Sequence, residues 1–380
     1  MMKEETRKTV VNSWNTWDPL KHVILGRPDN TVIQAPEPAV DRDFPEHGFP
    51  MGTYGPMPEE MIEKAKEQMD NFARILESRG IRVDRPTPLD FNQPVQTPDW
   101  RQETMFGCMP PRDLLLTVGS EILEATMSYR SRWFEYLCYR PLLEEYFKED
   151  PNMRWEAAPK PRLTERTYKK GYWDRYRKMT PKEREQVIHE QDFPLTEAEP
   201  CFDAADVGRC GKDFFVYRST TTNKGGIEWL RRHFSNHRIH TVRFFEDNPM
   251  HIDATFVFLR PGLALSNRKR VPLVKEQIEL FEKNGWEIVE CAPAAHDKKA
   301  RLSFCSVWLS MNVLVLDPKT VCVEAGETAQ MEQFDKLGFE VIPVPFYDVG
   351  AFGGGLHCAT ADVHREGTCE DYFPKQVEGY

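Results

Sequence analysis

Four short segments gather the side chains best able to do chemistry: PPRD (110–113), EPCFDAAD (199–206), NPMHIDATF (248–256) and GGGLHCATADV (353–363). In the third, strand alternation predicts that His251 and Asp253 face one side while Ile252 and Ala254 face the other. A histidine and a carboxylate sharing a face suit proton transfer and cation binding. Two ligands of mixed type with no third nearby make a poor metal site, and a hydrogen-bonded strand histidine is the plainer reading. Cys358 follows His357 and the run Gly353-Gly354-Gly355, where missing side chains let the backbone approach a ligand and leave the thiol accessible. To act as a nucleophile the thiol must ionise, helped by a nearby imidazolium or a cationic substrate. For any single cysteine among nine, buried filler is the alternative.

Asp203 and Asp206 lie three apart beside apolar residues, and Asp113 is predicted to open an apolar strand. A carboxylate in an apolar run costs free energy unless it is paired or hydrogen-bonded. Each alone reads as a turn or strand-end aspartate bonding the backbone. Together they point to a site that wants a cation, such as a planar guanidinium gripped by two carboxylates. Arg270, in SNRKR, could anchor a substrate carboxylate or belong to a solvated basic turn. No G-x-G-x-x-G, H-E-x-x-H or G-x-S-x-G pattern is present.

The elements that must position these residues repeat one pattern five times. Two β-rich runs around a turn are followed by an amphipathic stretch and a closing strand. The hairpins are expected at 22–34, 113–125, 206–218, 254–267 and 312–325, around Pro-Asp, Gly-Ser, Gly-Lys, Pro-Gly and Asp-Pro turns. Helices are expected at 59–80, 133–148 (kinked at Pro141), 227–235, 274–284 and 328–337, where apolar residues recur every three or four positions. Closing strands are expected at 81–86, 154–159, 238–245, 286–293 and 339–345. One such unit cannot bury its own apolar face, so five predict a closed ring; an open α/β sheet would fit the same alternation. Residues 160–198, charged, aromatic and punctuated by proline, read as a part-helical insertion over one face. Residues 35–58, rich in Pro and Gly, read as a surface loop and a candidate lid.

Composition narrows the class. The 380 residues are 40% hydrophobic and 29% charged, which excludes a disordered chain, a coiled coil and a small disulfide scaffold. A net charge of −10 leaves no overall basic field for nucleic acid. No run of eighteen apolar residues offers a membrane span, and MMKEETRKTVVNSW lacks the apolar core of a secretory signal. The nine scattered cysteines form no C-x-x-C pair, so reduced thiols in a cytoplasmic protein are expected.

Several segments carry a resemblance. EPCFDAAD, GIEWLRRH (226–233), NPMHIDATF, WLSMNVLVLD (308–317), GGGLHCATADV and the opening NSWNTWDPLKHVILGRP (12–28) are similar to the amidinotransferase family, especially its arginine:glycine branch. The resemblance covers almost the whole chain. It implies a single domain over 1–380 with the five-bladed α/β propeller of the pentein fold, in keeping with the five units. By position it implies Cys358 as nucleophile, His251 as general acid/base and Asp203 as the carboxylate orienting that histidine. Asp113 and Asp253 would grip the donor guanidinium. Arg270 and Ser306 would hold the amino-acid end of the substrate, and Asn248 and Met250 would shape the acceptor pocket. The implied activity moves the amidino group of L-arginine, through an amidino-cysteine, to a small-molecule amine, with glycine as leading acceptor. Neither metal nor organic cofactor is implied, and members are often homodimers. Cys305 beside Ser306, and Leu356 and Ala359 around the nucleophile, depart from the glycine-using branch. Lysine or another natural-product amine therefore stays open as acceptor, as does hydrolysis on the same scaffold.

Overall fold

A computed structural model describes residues 9–40, 53–244, 250–267, 273–296, 302–303 and 305–378. Its regular core is five three-stranded sheets. Four arise from the predicted hairpin–helix–strand units. The second sheet joins Leu115–Val118, Glu121–Glu124 and Arg154–Ala157; the third joins Val207–Cys210, Asp213–Tyr217 and Arg238–Val242. The fourth joins Phe256–Arg260, Leu263–Ser266 and Glu287–Glu290, and the fifth Leu314–Asp317, Thr320–Glu324 and Glu340–Val344. In each, the first two strands are antiparallel and the third runs parallel to the second. A parallel partner needs a crossover, which the helices Tyr136–Glu149, Lys224–His233, Lys275–Lys283 and Thr328–Lys336 supply. At the second hairpin Gly119 is required twice over. Its φ is +58° and an added Cβ would lie 2.5 Å from the Trp14 ring.

The first unit departs from expectation, because the hairpin 22–34 does not form. Leu20–Leu25 pairs antiparallel with Thr360–Arg365, from the other end of the chain, and parallel with Arg82–Asp84. Val32–Ile33 pairs instead with Gly55–Pro56. Every residue of 20–25 except Lys21 is buried, so both its edges need full-length partners, and a two-residue run cannot supply one.

The helix Glu59–Ser78 covers this sheet with Ala65, Met69, Phe72, Ala73 and Leu76. Phe72 is fully buried and meets the Phe346 ring edge-on at 5.4 Å. Burial of one such side chain stabilises by about 1.5–3 kcal/mol. Segment 160–198 is part-helical, as expected, with helices Tyr172–Lys178 and Pro181–Glu190; Thr180 and Glu183 cap the second reciprocally. It is tied down by hydrogen bonds from Trp133 Nε1 to the Pro161 carbonyl and from Trp173 Nε1 to that of Pro38. Of the candidate lid, 41–52 lie outside the described residues.

A carboxylate knots four of the sheets together. Asp362, on the last strand, accepts hydrogen bonds from Arg112 (3.0 and 3.3 Å), Arg209 (2.5 Å) and Arg365 (3.2 Å), all buried. Arg209 also donates to the Thr117 carbonyl in the second sheet, and Arg365 to that of Val315 in the fifth.

Candidate active site

Short turns ahead of one strand in each sheet carry the candidate side chains. Pro111–Leu114 presents Asp113, Ala204–Asp206 follows Asp203, and Ile252–Ala254 follows His251. Val307–Met311 lies between Ser306 and Asn312, and Cys358 falls in the turn before Thr360–Arg365. Two sequence expectations are corrected here. Asp113 sits in a helical turn with Pro111 at its start, not at the head of a strand. His251 and Asp253 do not alternate along a strand: His251 has φ +59° and opens a 3₁₀ turn. The cause is tertiary, since the His251 backbone N–H donates to Asp206 Oδ1 at 3.1 Å from the third sheet.

The two residues nonetheless face one cavity of about 770 Å³, together with Asp113, Met250, Ser306 and Cys358. Asp203 stands behind the imidazole, accepting at 3.1 Å from His251 Nε2, while Asp113 Oδ1 lies 3.5 Å from Nδ1. Asp206, grouped with these carboxylates from sequence, serves as a support outside the cavity: its Oδ2 accepts from Ser219, Thr221 and Thr222. Burial by itself would push His251 down. Asp113, Asp203 and Asp206 outweigh it and hold the imidazolium up to about 10.

Each of the two cavity aspartates keeps one oxygen in reserve. Asp113 Oδ2 accepts from Arg132 at 2.7 Å, and Asp253 Oδ2 lies 2.7 Å from His357 Nδ1. Asp113 Oδ1 and Asp253 Oδ1 are buried without a hydrogen-bond partner among the described residues. Burial raises Asp113, whereas Asp253 is held at about 2: burial opposes ionisation there, but the His357 hydrogen bond and the charge of His251 outweigh it. Two such oxygens beside one cavity suit a guanidinium.

The Cys358 thiol donates to Asp253 Oδ2 at 3.4 Å and accepts from Asn312 Nδ2 at 3.2 Å. Burial, then the charges of Asp253 and Asp113, push this thiol well above its ordinary range, which favours its protonated form. The glycine run makes room for Cys358 and Asn312, whereas sequence reasoning expected it to open the thiol to a ligand. A Cβ on Gly354 would lie 2.3 Å from Cys358 Cβ and 2.6 Å from Sγ, and one on Gly355 would lie 2.9 Å from Asn312.

Asn312 was missed by sequence reasoning. Its Oδ1 accepts from the His357 and Cys358 backbone N–H groups, each at 3.0 Å, which fixes the turn that carries Cys358. Also missed was Arg132, bound through two nitrogens to Glu135 (2.7 and 2.9 Å), which positions Asp113. Both residues read in sequence as ordinary polar positions, and only burial distinguishes them. Ser306 lines the cavity while its hydroxyl accepts from the Trp308 N–H at 3.2 Å. Asn248 and Arg270 lie outside the described residues.

No protein-family model matches the chain. It is 43% identical over 363 residues to the mitochondrial glycine amidinotransferase of Danio rerio, covering 94% of this chain and 84% of the relative. It is 37% identical over 367 residues to the L-arginine:L-lysine amidinotransferase of Pseudomonas savastanoi pv. phaseolicola, covering 96% of each. Among solved structures it resembles an amidinotransferase of the saxitoxin biosynthetic pathway from Microseira wollei. There the TM-score is 0.83 at 36% identity, over 96% of this chain and 99% of that one.

Proposed function

The chain belongs to the amidinotransferase family, and from that premise we propose that it moves the amidino group of L-arginine to a primary amine through a covalent adduct on Cys358. The observation carrying this reading is one cavity that brings together a thiol, a raised imidazolium and two aspartates with reserve oxygens. The guanidinium of arginine enters between Asp113 and Asp253. Its positive charge offsets the two carboxylates that keep the thiol protonated, so the thiol proton leaves to solvent and the reacting pair becomes thiolate and imidazolium. The sulfur attacks the guanidinium carbon, His251 gives its proton to the departing nitrogen, and ornithine leaves as a neutral amine. Cys358 then carries the amidino group, one difficult step having become two easier ones. The acceptor loses a proton to the now neutral imidazole, attacks the same carbon and expels the thiolate. Asp203 keeps the ring oriented throughout, and Asn312 steadies the sulfur through its amide hydrogen.

Glycine is the leading acceptor, consistent with the 43% identity to a glycine amidinotransferase. Lysine or another natural-product amine is the second reading, favoured by Cys305 beside Ser306 in the cavity and by the 37% identity to an arginine:lysine enzyme. We also read the five sheets as blades of a five-bladed pentein propeller. The first and last strands would form its seam, the chain would be one domain over 1–380, and 160–198 would be an insertion. We infer a reducing, cytoplasmic setting, in keeping with nine cysteines that form no disulfide among the described residues. No helix among the described residues is long and apolar enough to cross a membrane.

The test is incubation with arginine and a panel of amines, including glycine, lysine and hydroxylamine, with products identified by mass. Ornithine with a new guanidino compound is expected. Citrulline would overturn transfer in favour of hydrolysis.

A further inference from the structure

Beside the active-site cavity lies a second one, of about 460 Å³, which shares Ser306 and Leu309 with it as a common wall. At its other side stand His296, Glu324 and Glu327. One ligating atom from each lies within 4.8 Å of the others. His296 Nε2 is 3.2 Å from Glu324 Oε2. No lysine or arginine lines this cavity among the described residues. Glu327 is buried. A second, independent feature marks the same space. Ser310 lines the cavity and is 3% exposed, and its hydroxyl has no hydrogen-bond partner among the described residues.

Two carboxylates and an imidazole nitrogen converging beside a void that also holds an unpartnered serine are a donor set that a hydrated cation would satisfy. The carboxylates are already aimed by the backbone. Glu327 Oε2 accepts from the Ala295 N–H at 2.7 Å, and Glu324 Oε2 from the Gly326 N–H at 2.8 Å. Such outer bonds fix ligands in orientation and leave a lone pair for a metal. The single imidazole disfavours calcium, which takes oxygen ligands alone, and two carboxylates with one histidine suit zinc or manganese.

We propose that His296, Glu324 and Glu327 form a binding site for one divalent transition-metal ion, separate from the reacting groups. The ion is structural. It ties His296 to the strand Thr320–Glu324 and to the start of the helix Thr328–Lys336, behind the wall that carries Ser306. The amidino-transfer chemistry proposed above needs no metal and does not depend on it.

The test uses the full chain, stripped with chelator and dialysed separately against Zn²⁺, Mn²⁺ or Ca²⁺, with bound metal counted by mass spectrometry. One Zn²⁺ or Mn²⁺ per chain is expected, with a rise in melting temperature on loading and weaker retention of Ca²⁺. Glu327→Gln and His296→Ala should each weaken binding at least tenfold. Circular dichroism of the metal-free variants checks that they fold, and Co²⁺ loading should give visible absorption that His296→Ala loses. Stoichiometry near zero would overturn the site. So would binding that survives in folded His296→Ala and Glu327→Gln, because the ion would then be held elsewhere, for instance by thiols.

Discussion

Replacing Asp362 with asparagine tests the packing that underlies the site. In the native chain one buried carboxylate faces three buried guanidinium groups, from Arg112, Arg209 and Arg365. The remaining partners of Arg209 and Arg365 are neutral: Ser13 Oγ, and the carbonyls of Thr117, Asp18 and Val315. Asparagine keeps the shape but removes the only negative charge and turns an N–H₂ toward donors. Removing one partner of a buried ion pair costs about 3–5 kcal/mol, because the survivors stay buried without a counter-charge. At about 2.1 cal/mol/K per residue, 380 residues give an unfolding entropy of roughly 0.8 kcal/mol/K, so the melting temperature should fall by about 4–6 °C. Burial opposes ionisation of Asp362, but the three arginines overcome it and hold the carboxyl well below its usual range. A depressed carboxylate contributes stability above its unfolded value of about 3.9 and loses it only as pH falls below that. The deficit of the variant should therefore be constant between pH 5 and 8 in scanning calorimetry. A drop under 1 °C, or one that grows steadily across that range, would refute this account of the cluster.

Other perturbations address the chemistry. Gly354→Ala puts a methyl 2.6 Å from the Cys358 sulfur at a backbone φ of +155°; turnover should fall at least a hundredfold with the melting temperature changed by only a few degrees. Asp253→Asn should raise the dissociation constant for arginine by tenfold or more, well beyond the effect of Glu378→Gln, and unchanged affinity would remove Asp253 from guanidinium binding. Since His251 is an imidazolium up to about pH 10, the ornithine burst should fall as pH rises through that value. Asp203→Asn, which removes the 3.1 Å hydrogen-bond partner, should bring this alkaline limb to lower pH; an unmoved limb would assign it to another group.

How much of this was legible in the sequence depended on where each partner lay. The four hairpin units are local, with turn, helix and returning strand inside one stretch of chain, and periodicity found them. Leu20–Leu25 could not be read that way, since its antiparallel partner is Thr360–Arg365 and no local pattern encodes so distant a pairing. The same holds for His251, whose local alternation predicted a strand until a carboxylate of the third sheet claimed its N–H. Asp113 had a readable signal, proline at the start of a helical turn, overridden by the apolar run after it. Cys358, Asp253 and Asp203 read alone as filler or turn residues, and their expected roles came from the segments that resemble the amidinotransferase family. Asn312 and Arg132 act by holding other residues, and that role appears only once burial and partners are known.

The pairing of Leu20–Leu25 with Thr360–Arg365 also governs when the reacting sulfur can exist as a competent group. Cys358 lies two residues ahead of the strand that joins the earliest sheet, so its turn is set only after that strand has docked against segments made far earlier in synthesis. A nascent chain exposing the Asp113 and His251 turns would still lack an organised thiolate. The arrangement of Cys358 against Asn312 and Asp253 therefore depends on closure of this seam. Ala361→Pro, a proline within the strand that closes this seam, should lose amidino transfer before the chain loses its secondary structure.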